Sequence, residues 1–138
     1  MPSITTLWPI GQTLAVALFS ALLAPGAYAD AATTAAAERL GARAYLKCRS
    51  CHTLKPGEPD LVGPNLAGLF GREAGQRNGF VFSTALSEAD IVWNEETLRP
   101  WLARPNDVAP GTTMVFAGIA DERELDALIA YLQRETAE

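Results

Sequence analysis

The chain has 138 residues with 16 acidic and 11 basic side chains, a net charge of −5 that excludes the basic footprint of a nucleic-acid-binding domain. Hydrophobic residues make up 49% and charged residues 20%, too apolar a balance for a disordered acidic tail, so one folded domain with a modest core is expected. No Asp, Glu, Lys, Arg or His occurs in residues 1–29, and all the charge lies downstream. Residues 13–24 (TLAVALFSALLA) form an apolar run, followed by Pro25-Gly26 and then by Ala27-Tyr28-Ala29 before Asp30, a small-x-small pattern that fits a signal-peptidase site. Residues 1–29 are therefore predicted to be a signal peptide cleaved after Ala29, with a periplasmic mature protein. As a helix the run reaches about 18 Å, short of the ~30 Å hydrocarbon core, so no stable membrane span is expected after cleavage. The leading segment carries no Lys or Arg, and an uncleaved anchor is the alternative.

Residues 30–37 (DAATTAAA) read as a flexible N-terminal tether, and residues 38–138 as the folded domain. From Glu38 to about Cys51, Leu40, Ala44 and Cys48 fall on one helical stripe with Gly41 and Tyr45 beside it, which predicts a first helix. Residues 55–79 are rich in Gly and Pro and read as one long loop with a turn at Gly63-Pro64, a length that points to a loop wrapping something. A short helix is predicted over 83–89, capped by Ser83. A second follows over 95–103, with Asn94 as N-cap and Arg104-Pro105 as its stop, although Pro100 lies within it. The last helix starts after the N-cap Asp121 and sets Leu125, Leu128, Ile129 and Leu132 at helical spacing, with Tyr131 alongside. No run alternates as a strand does and no repeat occurs, so the fold class is all-α with long loops.

The informative segment is Lys47-Cys48-Arg49-Ser50-Cys51-His52. Two thiols three positions apart can each form a thioether with one vinyl group of haem, and the adjacent His52 then ligates the iron through an imidazole nitrogen. Three other readings compete. A thioredoxin-type dithiol needs a βαβ setting, for which there is no pattern. Structural zinc takes four ligands, usually all Cys and His, so a carboxylate would have to join the two Cys and the single His. A plain disulfide suits an exported protein and leaves His52 unexplained. One covalent haem c per chain accounts for Cys48, Cys51 and His52 together.

A single axial His leaves the opposite iron position to be filled, and that ligand decides the chemistry: Met gives electron transfer, an open position gives ligand binding. Beyond residue 29 the only methionine is Met114, in the segment PGTTMVFAG. A Met is ordinarily core filler. Here a Pro-Gly turn presents it from a fixed loop, and its soft thioether suits reduced iron. His52 and Met114 are the expected iron ligands.

The stretches GARAYLKCRSCHT, GPNLAGLFGREAG, GFVFSTAL, WNEETL, PGTTMVFAGI and DALIAYL together resemble the class I cytochrome c family, close to bacterial cytochrome c2 and mitochondrial cytochrome c, over roughly residues 40–135. The resemblance implies the class I cytochrome c fold, in which N- and C-terminal helices cross and short helices and long loops wrap one haem. It sets Gly41 and Tyr45 against Leu128 and Tyr131, with Gly41 letting the backbones approach. It makes Pro64 the residue whose carbonyl accepts from the free ring nitrogen of His52. It also puts Arg72, Ser83, Trp93 and Thr112 around the haem propionates and inner edge, and Trp101 where a Tyr usually donates towards the methionine sulfur. Phe82 and Leu86 depart from the family pattern, replacing a Tyr and an Asn and removing a hydrogen-bonding partner each. The family's docking face is ringed with lysines, but the matching positions here are Asn106, Asp107 and Thr113, and Lys47 and Lys55 are the only lysines. An acidic partner surface is not steered towards such a face.

The function so implied is that of a monomeric, periplasmic mono-haem c-type cytochrome: an electron-transfer protein rather than an enzyme, passing one electron between redox proteins through a His/Met-ligated iron. Two alternatives stand beside it. A ligand-binding or peroxidase-like haem protein in which Met114 dissociates would show high-spin iron. A dedicated haem subunit of a periplasmic dehydrogenase, docked by apolar contact, would show weak salt dependence.

Overall fold

The computed structural model describes residues 25–137, with side chains described from residue 33; the apolar run 13–24 of the predicted signal peptide lies outside the described residues. Among the described residues five helices follow one another: α1 (Pro25–Tyr45), α2 (Thr84–Ser87), α3 (Glu95–Ala103), α4 (Pro105–Val108) and α5 (Glu122–Glu135). The only β pairing described is an isolated antiparallel bridge between Glu73 and Val92, so the architecture is the expected all-α one. No described helix is long and apolar enough to cross a membrane.

Helix α1 begins ahead of Glu38, and residues 30–37, read from sequence as a flexible tether, are helical. Most of that segment is alanine, the residue with the highest intrinsic helix propensity, so the backbone adopts helix without an apolar stripe to dock. At its other end α1 stops at Tyr45, short of Cys51. The chain continues in turns: the Cys48 and Arg49 amides donate to the Tyr45 carbonyl at 2.8 and 3.1 Å, and the Cys51 and His52 amides both donate to the Cys48 carbonyl at 3.0 Å.

Helices α1 and α5 cross at Gly41. A Cβ there would collide with the Ala127 carbonyl oxygen and stand 2.7 Å from Tyr131 Cβ, so the close approach falls on Ala127 and Tyr131, with Leu128 buried beside them. Tyr45 stacks on Tyr131 at a centroid distance of 5.6 Å. Leu125, Leu128, Ile129 and Leu132 are buried as their spacing predicts, each contributing roughly 1.5–3 kcal/mol of apolar burial. The Asp121 carboxylate caps α5 by accepting from the Glu124 amide at 2.8 Å.

Asn94 caps α3 in a reciprocal box with Thr97, which offsets the hydrogen bond lost at Pro100. Arg104 ends α3 as expected, but Pro105 then opens the short helix α4, which the sequence reading did not foresee; proline at a first helical position gives up only an amide that has no partner there. Ser83 caps α2 through the Leu86 amide. The long loop before it is held from inside by Asn65, which is 1% exposed: its amide nitrogen donates to the Lys55 and Glu58 carbonyls, and its side-chain oxygen accepts from the Ala67 amide at 2.7 Å.

Candidate haem site

The long loop, α3 and the segment after α4 enclose one cleft, whose unfilled space, open mouth included, is about 1280 Å3. Cys48, Cys51, His52, Pro64, Arg72, Ser83, Trp93, Trp101, Thr112 and Met114 all line it, so the fold brings together every residue named as a site candidate from sequence. The walls between them are largely apolar, with Leu66, Leu69, Leu86, Leu98 and Leu132 among them.

His52 follows the turns that end α1, and its ring is fixed by a 2.7 Å hydrogen bond from Nδ1–H to the Pro64 carbonyl. Burial lowers the basicity of the imidazole, and the Pro64 carbonyl opposes this only in part, so the ring is held neutral. With the proton on Nδ1, the lone pair resides on Nε2, the form a metal takes. The backbone carbonyl of His52 accepts a 2.6 Å hydrogen bond from the Tyr45 hydroxyl, and burial pushes that phenol up to about 12, so it stays a donor at neutral pH.

Burial pushes the Cys48 thiol up to about 11. A dithiol exchange pair needs the reverse, a thiol whose pKa is lowered so that the thiolate forms, so the site disfavours the thioredoxin-type reading. Both cysteines are free of disulfide bonding.

Met114 is half-buried against the core, and its amide donates to the Thr112 hydroxyl at 3.3 Å. Trp101 and Trp93 are 5% and 6% exposed, with ring centroids 5.4 Å apart. Arg72 donates to the Ala67 carbonyl at 3.1 Å, and its own carbonyl accepts from the Trp93 amide. Phe82 packs edge-on to Phe80 at 4.8 Å, and Leu86 is buried, so both departures from the resembled pattern turn apolar groups into the cleft lining.

Two features of the site escape sequence reasoning. Tyr45 was placed at the helix crossing, yet its hydroxyl serves the backbone of His52. Gly63 was read as half of a turn, yet a Cβ on it would meet the His52 ring, so the glycine makes room for the imidazole. Gly-Pro eleven residues beyond the histidine reads by itself only as a turn; the Pro64 bond is implied by the family resemblance, and nothing in the sequence announces the Gly63 contact.

The arrangement fits a haem: two thiols and a neutral imidazole stand on adjacent turns, a glycine cradles the imidazole, and a thioether from a distant segment lines the same apolar cleft. The model of the cytochrome c family matches residues 38–135. Cytochrome c2 of Blastochloris viridis is 39% identical over 121 residues, covering 88% of this chain and 90% of that one. Cytochrome c2 of Rhodoblastus acidophilus is 38% identical over 98 residues, 71% of this chain and 92% of its own. Cytochrome c of Chlamydomonas reinhardtii is 46% identical over 91 residues, 66% and 81% respectively.

Proposed function

The chain belongs to the cytochrome c family, whose haem c is attached through Cys48 and Cys51 here, and from that premise we propose that it is a periplasmic one-electron carrier, exported with loss of residues 1–29, whose iron is held between His52 and Met114. When bound, haem c supplies a one-electron exchange between ferric and ferrous iron. The observation that carries the reading is that the imidazole of His52, bonded through Nδ1 to the Pro64 carbonyl, and the sulfur-bearing side chain of Met114 line one cleft.

Each residue then has a physical task. Cys48 and Cys51 would hold the haem by thioethers, each adding its S–H across one vinyl double bond. Pro64 keeps the proton on Nδ1 of His52 and raises the donor strength of Nε2. Thr112 restrains the backbone at Met114. The leucines and the two tryptophans keep water from the cleft, which lowers the dielectric around the iron and tunes its potential. Arg72 brings positive charge to a cleft that would take the propionates.

The test is the visible spectrum of the full-length chain exported from a host with haem-attachment machinery, with the mass of the purified protein. The expected result is low-spin iron with the weak band of sulfur-to-ferric-iron coordination, lost in Met114→Ala, and a mass lacking residues 1–29. Covalent haem that is high-spin in the unaltered protein would overturn the carrier reading in favour of ligand binding.

A further inference from the structure

Resting on that reading, we propose that the mouth of the cleft is a docking surface for a redox partner with an apolar, uncharged contact face, formed by Val62 and Val115 with Leu61 and Phe116 beside them. Val62 and Val115 line the cleft and are 83% and 102% exposed, and Leu61 is 45% exposed. Single exposed valines are ordinary on a protein surface. These two sit on the segments that carry the groups assigned to the iron's two sides: Val62 lies two residues before Pro64, the partner of His52, and Val115 follows Met114. A partner seated on both covers the mouth.

Charge around the mouth gives an acidic partner little to find beyond exposed Arg49, between the two cysteines, and the Arg72 charge inside the cleft. Lys47, the only lysine lining the cleft, is paired with Glu124 at 2.5 Å, and Lys55 is paired with Glu135 at 3.0 Å. Of the other charged residues lining the cleft, Arg72 donates to the Ala67 carbonyl and Glu73 is itself acidic. Asn106 and Thr113 are exposed and uncharged, and exposed Asp107 is paired with Arg104. With a net charge of −5 the molecule repels an acidic protein at long range. Encounter free energy must therefore come from short-range burial of the aliphatic side chains, which complements an apolar and uncharged surface. Four side chains make a contact of the small class, below about 1,200 Å2, that suits brief electron-transfer encounters.

The test is voltammetry of the holoprotein on gold coated with methyl-terminated or carboxylate-terminated alkanethiol, which present the two partner chemistries without needing the partner. The expected electron-transfer rate is about tenfold higher on the methyl surface, and changes less than about twofold between low and high salt. Val62→Lys/Val115→Lys is expected to reverse the preference and make the carboxylate rate salt-sensitive. Val81→Lys makes the same chemical change at an exposed valine that does not line the cleft, and is expected to leave the preference as it is. A faster rate on carboxylate in the unaltered protein overturns the proposal, as does a double variant whose preference does not move. The spectrum of each sample separates the two levels. Failure with low-spin iron removes the docking surface alone, whereas high-spin iron in the unaltered protein removes the carrier reading and the docking surface with it.

Discussion

Gly63 lies against the imidazole of His52: a Cβ on the glycine would stand 2.8 Å from both ring nitrogens. Gly63 is not one of the glycines with positive φ, so its backbone admits alanine and the ring alone excludes it. Gly63→Ala is expected to displace the ring from the Pro64 carbonyl and to cost about 1–3 kcal/mol through overpacking. Guanidinium unfolding of the holoprotein checks the cost, and the low-spin spectrum checks the ring. An unchanged midpoint with an unchanged spectrum would show that the neighbourhood yields freely.

Gly41→Ala offers a test by sign. In an exposed helix interior the change to alanine stabilises by roughly 0.5–1 kcal/mol. At the crossing, the new Cβ meets the Ala127 carbonyl, which is backbone and cannot swing aside. Destabilisation by more than about 1 kcal/mol is therefore expected, read as a lower unfolding midpoint. A rise in the midpoint would mean that α1 and α5 part without loss.

Tyr45→Phe keeps the ring stack on Tyr131 and deletes only the hydroxyl that donates to the His52 carbonyl. The expected loss is about 1 kcal/mol. Comparison with Tyr131→Phe separates the hydrogen bond from the stack: the stack survives in both variants, and only Tyr45→Phe is expected to lower the unfolding midpoint.

Asp60 gives the loop its acid sensitivity. The Asn65 amide donating at 2.7 Å, and after it Arg77 at 2.8 Å, hold the Asp60 carboxyl below the usual carboxylate value of 3.8. A carboxyl with a lowered folded pKa stabilises the fold above its unfolded value and loses that contribution as pH falls through the folded one. Asp60→Asn is thus expected to lower the unfolding midpoint at neutral pH, with the gap to the unaltered protein closing below pH 3.8. Denaturant titrations at neutral and acid pH measure it; a gap of constant size would assign the effect to something other than ionisation.

Helix α5 was legible because its signals are local: Asp121 caps it, and four apolar side chains repeat at helical spacing on its buried face. The Cys-x-x-Cys-His segment was legible because chemistry dictates its spacing. The upstream half of α1 is not announced by its sequence, because it carries no apolar stripe and its helix rests on the propensity of alanine alone. Helix α4 was missed because a proline that ends one helix can also begin the next. The contact of Gly63 with His52 and the bond from Tyr45 to the His52 carbonyl depend on how turns bring separate segments together, and no periodicity records that.

The contact of Gly41 with Ala127 has a mechanical consequence. These two positions clasp the chain near its two described ends, and Cys48, Cys51, His52, Pro64 and Met114 all lie on the stretch between them. Tension applied at the ends is borne first by the α1–α5 pair, since the path through the clasp is shorter than the path through the loops. The segment that lines the cleft stays slack until those two helices separate, and only then does the pull reach it.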